Sequence, residues 1–380
     1  MKNWLFWGLI TLLALSLTGN LYLWNVLSRY NVADNPLPAT NGSQIQPVIY
    51  PNQVSSIKDK PNLSHTTSTE NTAPPLTDIT IDALSEMLEA GDFQNLSSAL
   101  SYQLKQDPLN EKLLLIEAEL IRQTQPLSSA LIHYYDLADL PLSRSALNEI
   151  NSKIDTLYQQ AQTQLRKDKQ WELVAKLNEP LYQRLPEART FALNLAEAYA
   201  YQEKLTLMED TLASLPFEDS AAQALRELAY SNGNTQNETN VDDNHSGDTN
   251  IQETRVALAK HGDQYRVSAQ ALNQKVTMIL DTGASTTAIS SALYARLKKV
   301  QRLKFIGNFT VNTASGSIEA PFIQIPAFYF AGYTFTDMSA IVLPEGALPY
   351  TDGLLGMNVL GPFDFSILPQ ESTLVLRERP

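Results

Sequence analysis

Four regimes of hydrophobic and polar spacing follow one another along the chain, and each predicts a different kind of structure. The first is an unbroken apolar run. Residues Asn3 to Ser28 carry no charge, and Trp4 to Trp24 are mostly Leu, Ile, Phe and Trp, enough to cross a bilayer as one helix. Trp4 and Trp7 at one end, and Tyr22 and Trp24 at the other, fit the aromatic belts of a spanning helix. A cleaved signal peptide is the rival reading, with Lys2 as its basic start. Ala14-Leu15-Ser16 is a poor cleavage site set inside the apolar run, so residues 1–30 are read as an uncleaved transmembrane anchor. Lys2 and the amino terminus against Arg29 give a slight positive-inside bias, which puts the N-terminus in the cytoplasm and the bulk of the chain outside it.

The second regime has no period. Residues 31–76 are rich in Asn, Pro, Ser, Thr and Gln; they cannot bury enough apolar surface to offset the entropy of ordering and are expected to form a flexible stalk. The third regime, 77–230, has helical spacing: Ile81, Leu84, Leu88, then Leu96, Leu100, Leu104, then Leu113, Leu114, Ala118, Leu120, and later Leu193, Ala196, Ala200. Breaks fall at Pro108, Pro126, Pro141, Pro186 and Pro216, and two of the gaps between prolines are 33 and 30 residues. That spacing, with Leu181-Tyr182-Gln183-Arg184-Leu185-Pro186 answered by Leu212-Ala213-Ser214-Leu215-Pro216, resembles an array of tetratricopeptide-type (TPR-like) helical hairpins. The tryptophan and glycine positions of that repeat are not convincingly filled, so another α-hairpin array stays open. Such a stack can bind a protein partner in its groove or serve as a spacer.

Residues 231–250 are Asn, Asp, Gly, Ser and Thr without a basic residue and predict a second flexible linker. Beyond it, in 251–380, the period switches to two. Thr254 to Lys260 and Tyr265 to Leu272 read as a hairpin about His261-Gly262-Asp263, followed by a turn at Asn273-Gln274 and a strand through Leu280. Ser290 to Lys299 predicts a short helix. Phe305 to Val311 and Ile318 to Phe322 flank a small-residue tip, and Ile323 to Phe330, Tyr333 to Thr336, Ser339 to Leu343 and Ser372 to Leu376 complete an all-β, partly open barrel.

Charge and composition narrow the chemistry. The net charge of −13 argues against a nucleic-acid partner. Residues 251–380 hold 11 Lys/Arg and 10 Asp/Glu, so the acidity belongs to the region before them. With no Cys there is no thiol or disulfide chemistry, and the four His, at 65, 133, 245 and 261, lack ligand spacing, so no metal or cofactor is expected.

The chemistry concentrates at Val276-Thr277-Met278-Ile279-Leu280-Asp281-Thr282-Gly283-Ala284-Ser285. An apolar, β-branched run delivers one carboxylate into a turn of small residues, whose hydroxyls and N–H groups can compensate it. A single carboxylate cannot act as acid and base in one step, whereas two sharing a proton divide those roles. No second Asp-Thr-Gly or Asp-Ser-Gly occurs in the 380 residues, so a dyad requires a second chain. Ser285 as a nucleophile is rejected, because no Lys or His stands near it in sequence.

Asp281-Thr282-Gly283-Ala284-Ser285, then Thr313-Ala314-Ser315-Gly316, then Gly353-Leu354-Leu355-Gly356-Met357-Asn358 together resemble the landmarks of single-lobed, retropepsin-like aspartic proteases in their bacterial membrane-anchored branch. The resemblance covers roughly 251–380. It implies a homodimer through this domain that hydrolyses a protein or peptide substrate, with Asp281 of each protomer activating water. It further implies that Thr282 locks the two loops across the dimer axis, that Gly283 offers its N–H to the carboxylate, that Ala284 and Ser285 support the loop, and that Ser285 orients the outer oxygen of Asp281. Thr313, Ala314, Ser315 and Gly316 become the tip of a flap, and Leu354, Leu355, Gly356 and Asn358 the structural backing. Met357 and Ser285 stand where retroviral members often carry an arginine and an acid, so that branch's intramonomer salt bridge is absent. Placed in a bacterium, the anchor predicts a single-pass protein of the inner membrane, with its bulk periplasmic. The alternative function is a non-catalytic peptide-binding adaptor or scaffold using the helical and β domains.

Overall fold

The computed structural model describes residues 79–234, 253–313 and 316–379. Among the described residues nine helices come first: α1 (Ile81–Ala90), α2 (Phe93–Gln106), α3 (Glu111–Thr124), α4 (Leu127–Ala138), α5 (Arg144–Lys167), α6 (Trp171–Arg184), α7 (Arg189–Tyr201), α8 (Leu205–Leu212) and α9 (Ser220–Asn234). Their starts follow from local chemistry. The side chains of Thr80, Asn110 and Ser143 accept the N–H groups of Ala83, Leu113 and Ala146, the usual satisfaction of orphan donors in a first turn. α1 ends where Gly91 takes φ 77°, a left-handed conformation that costs glycine little. Neighbouring helices bury most of the stripes seen in the sequence, including Leu113, Leu114, Ala118, Ala196 and Ala200, with Leu193 half-buried.

The expected transmembrane helix, and with it placement as a single-pass inner-membrane protein, is corrected: among the described residues no helix is long and apolar enough to cross a membrane. The longest, α5, has 24 residues but carries Arg144, Glu149, Lys153, Asp155, Arg166 and Lys167, which hydrocarbon would not accept. The segments read as anchor and stalk lie outside the described residues, as do residues 235–250 of the stretch read as a linker; 231–234 complete α9.

The β domain comprises β1 (Thr254–Ala257), β2 (Ala259–His261), β3 (Gln264–Ala271), β4 (Gln274–Leu280), β5 (Ala288–Ser290), α10 (Ser291–Val300), β6 (Lys304–Thr313), β7 (Gly316–Phe330), β8 (Tyr333–Leu343), β9 (Gly353–Leu355), α11 (Met357–Leu360), β10 (Phe363–Leu368) and β11 (Thr373–Glu378). Eight strands form a sheet in the order β2-β3-β4-β9-β5-β8-β7-β6, and β3 also meets β7 through Gln270↔Tyr329 and Ala271↔Phe328, so the sheet curls back on itself. A separate three-stranded sheet has the order β1-β11-β10. The β3–β4 turn falls on Leu272 and Asn273, both at positive φ, one residue earlier than the sequence suggests; two such residues give the twist a two-residue hairpin needs. In β4, Val276 and Met278 point into the core while Lys275 and Thr277 are exposed.

Two hydrophobic cores lie on opposite sides of the curled sheet. One is internal to the β domain and holds Met278, Ile289, Ile325, Phe328 and Leu355. The other is shared: Ala288, Ile306, Phe309, Val311, Ala320, Phe322, Ile341 and Leu343 join the core of α3 to α9. Gly307 on β6 admits α4 so closely that a Cβ there would sit 2.9 Å from Leu127 Cβ. Asn308 Nδ2 donates to the Gln123 carbonyl at 3.0 Å. The helical region is therefore one wall of the β domain, and Phe322 of β7, wholly buried, lies in the core they share. β6 carries a continuous buried stretch from Ile306 to Phe309, as expected of a strand covered on both faces.

Candidate active site

Asp281 sits at the end of β4, where the strand leaves the sheet. Its placement follows from an unusual neighbourhood. β9 runs parallel to β4, with Met278↔Gly353, Ile279↔Leu354 and Leu280↔Leu355, and antiparallel to β5, with Ala288↔Leu354 and Ile289↔Gly353. The chain leaves β4, makes the loop 281–287 and returns as β5 on the far side of β9. That arrangement works only if β9 is thin. A Cβ on Gly353 would lie 2.3 Å from the Ala288 carbonyl oxygen, and one on Gly356 2.7 Å from the Thr286 carbonyl carbon. Leu354 and Leu355 alternate across β9: Leu354 packs against the core shared with the helices, while Leu355 is wholly buried in the other.

The Asp281 N–H donates to the Leu355 carbonyl at 3.1 Å, and Oδ1 accepts from the Gly283 N–H at 3.0 Å. The carboxylate is half-buried, whereas Thr282 and Gly283 beside it are exposed. The loop is gripped from inside the domain: Met357 N–H donates to Ala284 O at 2.8 Å and Asn358 N–H to Ser285 O at 3.1 Å. Asn358 Oδ1 accepts the Thr287 N–H at 2.8 Å and its hydroxyl at 2.7 Å.

The hydroxyl of Ser285, expected to orient the outer oxygen of Asp281, instead donates at 3.4 Å to Gln170 of the helical region. Gln170 also accepts from the Thr286 hydroxyl. Beside it, Asp168 accepts from the Ser339 hydroxyl and, at 2.8 Å, from Gln164 Nε2; burial raises its carboxyl above the ordinary range, against the opposing pull of those two donors. Gln164, Asp168, Gln170 and Ser339 carry no sequence signal for this position. Gln170 lies 115 positions from Ser285, and buried glutamines leave no periodic trace.

The hairpin β6–β7 forms the second candidate feature. Thr313 pairs with Gly316, and the Thr313 hydroxyl donates to the Gly316 carbonyl at 2.8 Å; Ala314 and Ser315 lie outside the described residues. One arm is tied to α6, since Lys176 Nζ donates to Thr310 O at 3.0 Å and Asn312 Nδ2 to Glu172 Oε1 at 2.7 Å. A separate cleft of about 680 Å³ lies between Arg266, Thr277, Ser290, Glu345, Tyr350 and Asp352; Asp281 is not among its walls. Among the described residues no group of His, Cys, Asp and Glu could hold a metal ion.

Residues 267–362 match the family model described as gag-polyprotein putative aspartyl protease. No curated protein matches the chain. Among solved structures, a retropepsin-like aspartic protease from Rickettsia conorii is 23% identical, with 34% of this chain and 91% of that one covered and a TM-score of 0.25. The EIAV protease complexed with the inhibitor HBY-793 is 19% identical, with 27% and 90% covered and a TM-score of 0.23. The family match supports an aspartyl-protease-like domain in this part of the chain.

Proposed function

We propose that the chain is an aspartic endopeptidase whose site is completed by a second copy of itself, with Asp281 of each protomer holding one water. The observation that carries this reading is the Asp281 loop: a half-buried carboxylate, held by the Gly283 N–H at 3.0 Å, beside exposed Thr282 and Gly283. A single protomer supplies one Asp-Thr-Gly, and the exposed face of its loop suits a symmetric partner, which would present the same loop.

In the proposed reaction the ionised carboxylate of the pair takes a proton from the water as its oxygen attacks the scissile carbonyl carbon. The protonated carboxyl donates to the carbonyl oxygen. The resulting tetrahedral diol collapses as a proton reaches the leaving nitrogen, and the C–N bond breaks without an acyl-enzyme. The β6–β7 hairpin is proposed as the flap, its backbone pairing with an extended peptide and its closure excluding water.

The test is cleavage of an unfolded protein by the full chain, with and without pepstatin, across acidic and neutral pH. Asp281→Asn is expected to abolish a pepstatin-sensitive activity. Equal cleavage by Asp281→Asn and the wild type would end this reading and leave a peptide-binding adaptor in its place.

A further inference from the structure

We infer that Gln170 is a positioning residue for the Asp281 loop, so that the active site is assembled from the helical region and the β domain together. This rests on the proteolytic reading above and extends it to a residue outside the β domain.

Gln170 occupies the N-cap of α6, a place where a short oxygen-bearing side chain normally serves the helix, yet its side chain makes no cap bond there. Lys169 before it turns at φ 54°, which ends α5 and starts α6 within a few residues and aims the Gln170 amide at the β domain. The amide is 5% exposed and its bonding capacity is filled. Oε1 accepts from the hydroxyls of Thr286 and Ser285. Nε2 donates to Ser285 O at 3.3 Å and to Asp168 O at 3.0 Å. A glutamine has two acceptor sites and two donor hydrogens, and three of those four bonds go to the loop that begins at Asp281.

The loop is thus held from two sides. Met357 and Asn358 hold Ala284, Ser285 and Thr287 from within the domain, and Gln170 holds Ser285 and Thr286 from the helices. Asp281 itself is held by local backbone bonds: its N–H donates to Leu355 O at 3.1 Å, its carbonyl accepts the Ala284 N–H at 3.4 Å, and Oδ1 accepts the Gly283 N–H at 3.0 Å. A carboxylate that must meet a symmetry mate and a water in one geometry is sensitive to small displacements of its loop.

Three full-length variants test this. Gln170→Met keeps length and volume but no hydrogen bonds; Gln170→Glu keeps shape but loses both donors; Thr286→Val removes one hydroxyl from the other side of the contact. The expected result for Gln170→Met is a fall in kcat of about tenfold to a hundredfold with KM nearly unchanged, and faster amide hydrogen exchange across 283–288. Thr286→Val should show a smaller fall of the same kind and add little to Gln170→Met, because its hydroxyl acts through Gln170. Wild-type kcat and exchange in Gln170→Met, or effects of the two substitutions that simply multiply, would overturn the inference. If Gln170→Met does not fold, Gln170→Glu and Thr286→Val decide it by the same readouts. A wild-type chain without Asp281-dependent cleavage would instead remove the proteolytic reading, and unchanged loop exchange in the variants would then overturn the positioning role by itself.

Discussion

Asn358 Oδ1 accepts both the backbone N–H of Thr287, at 2.8 Å, and the Thr287 hydroxyl, at 2.7 Å, so one amide oxygen fixes the far end of the loop that starts at Asp281. The same asparagine donates from Nδ2 to Ser339 O on β8 at 2.8 Å, and the Thr287 hydroxyl oxygen accepts the Gly356 N–H at 3.2 Å. Thr287 is wholly buried, so water cannot stand in for these partners. The loop, β8 and the start of α11 are tied together at this point.

Asn358→Ala should therefore cost about 3 kcal/mol of stability, since it strands a buried N–H, a hydroxyl and a carbonyl at once. Urea unfolding followed by circular dichroism measures it; a loss under about 1 kcal/mol would mean that the loop finds other partners.

Gly353→Ala is expected to prevent the β domain from folding, because the added methyl would lie 2.3 Å from the Ala288 carbonyl oxygen and 2.6 Å from Met278 Cε. Gly262→Ala serves as the comparison: nothing lies within 4 Å of the added methyl, but φ is +61°, which costs an alanine about 1 to 2 kcal/mol. Soluble yield and thermal midpoint distinguish the two.

The seam between the helices and the β domain can be tested at Gly307 and Leu127. Gly307→Ala overpacks a contact of 2.9 Å and should cost about 1–3 kcal/mol. In a Leu127→Ala background, itself about 2–5 kcal/mol less stable, the contacts with Cδ2 at 3.1 Å and Cγ at 3.3 Å are gone while that with Cβ stays, so the penalty should shrink in part. A strictly additive double mutant would indicate that the two sites do not meet.

Much of this architecture is legible in the sequence, and the seam is not. Helical spacing before Tyr230 and period-two spacing after Thr254 predict the element classes, and the run Val276 to Leu280 predicts a strand that ends at Asp281. What those patterns cannot specify is which surface covers an apolar face. Ile306, Phe309, Val311 and Phe322 read as ordinary strand interior, yet they pack against helices. The polar stretch after Ser231 suggests two independent domains, whereas the described helices and strands belong to one compact unit. Gln170 lies inside the stretch of helical spacing with nothing in the sequence to single it out, because a tertiary hydrogen bond has no period. The apolar run at Trp4 to Trp24 pointed to a membrane helix and a periplasmic location, and that expectation does not stand.

Asp168 gives the seam a dependence on pH. Burial raises its carboxyl from the ordinary 3.8, outweighing the donors Ser339 and Gln164, so the folded chain binds this proton more tightly than the unfolded one. Its contribution is complete below the ordinary carboxylate range and is lost as pH rises through the raised value. Asp168→Asn keeps an acceptor for Ser339 and Gln164 and removes the titration. Thermal midpoints between pH 4 and pH 7 should fall less steeply in Asp168→Asn than in the wild type; parallel curves would contradict the assignment.

Whether two copies of Asp281 make one site can be read from mixed dimers. Wild-type chain and Asp281→Asn chain are denatured together in equal amounts, refolded, and assayed for pepstatin-sensitive cleavage. If protomers pair at random, about a quarter of the dimers carry two intact carboxylates. Activity should then fall to about a quarter of that of an all-wild-type sample at the same total concentration, and further with excess Asp281→Asn. Activity that tracks the amount of wild-type chain in direct proportion, at half in the equal mixture, would mean that each Asp281 acts alone.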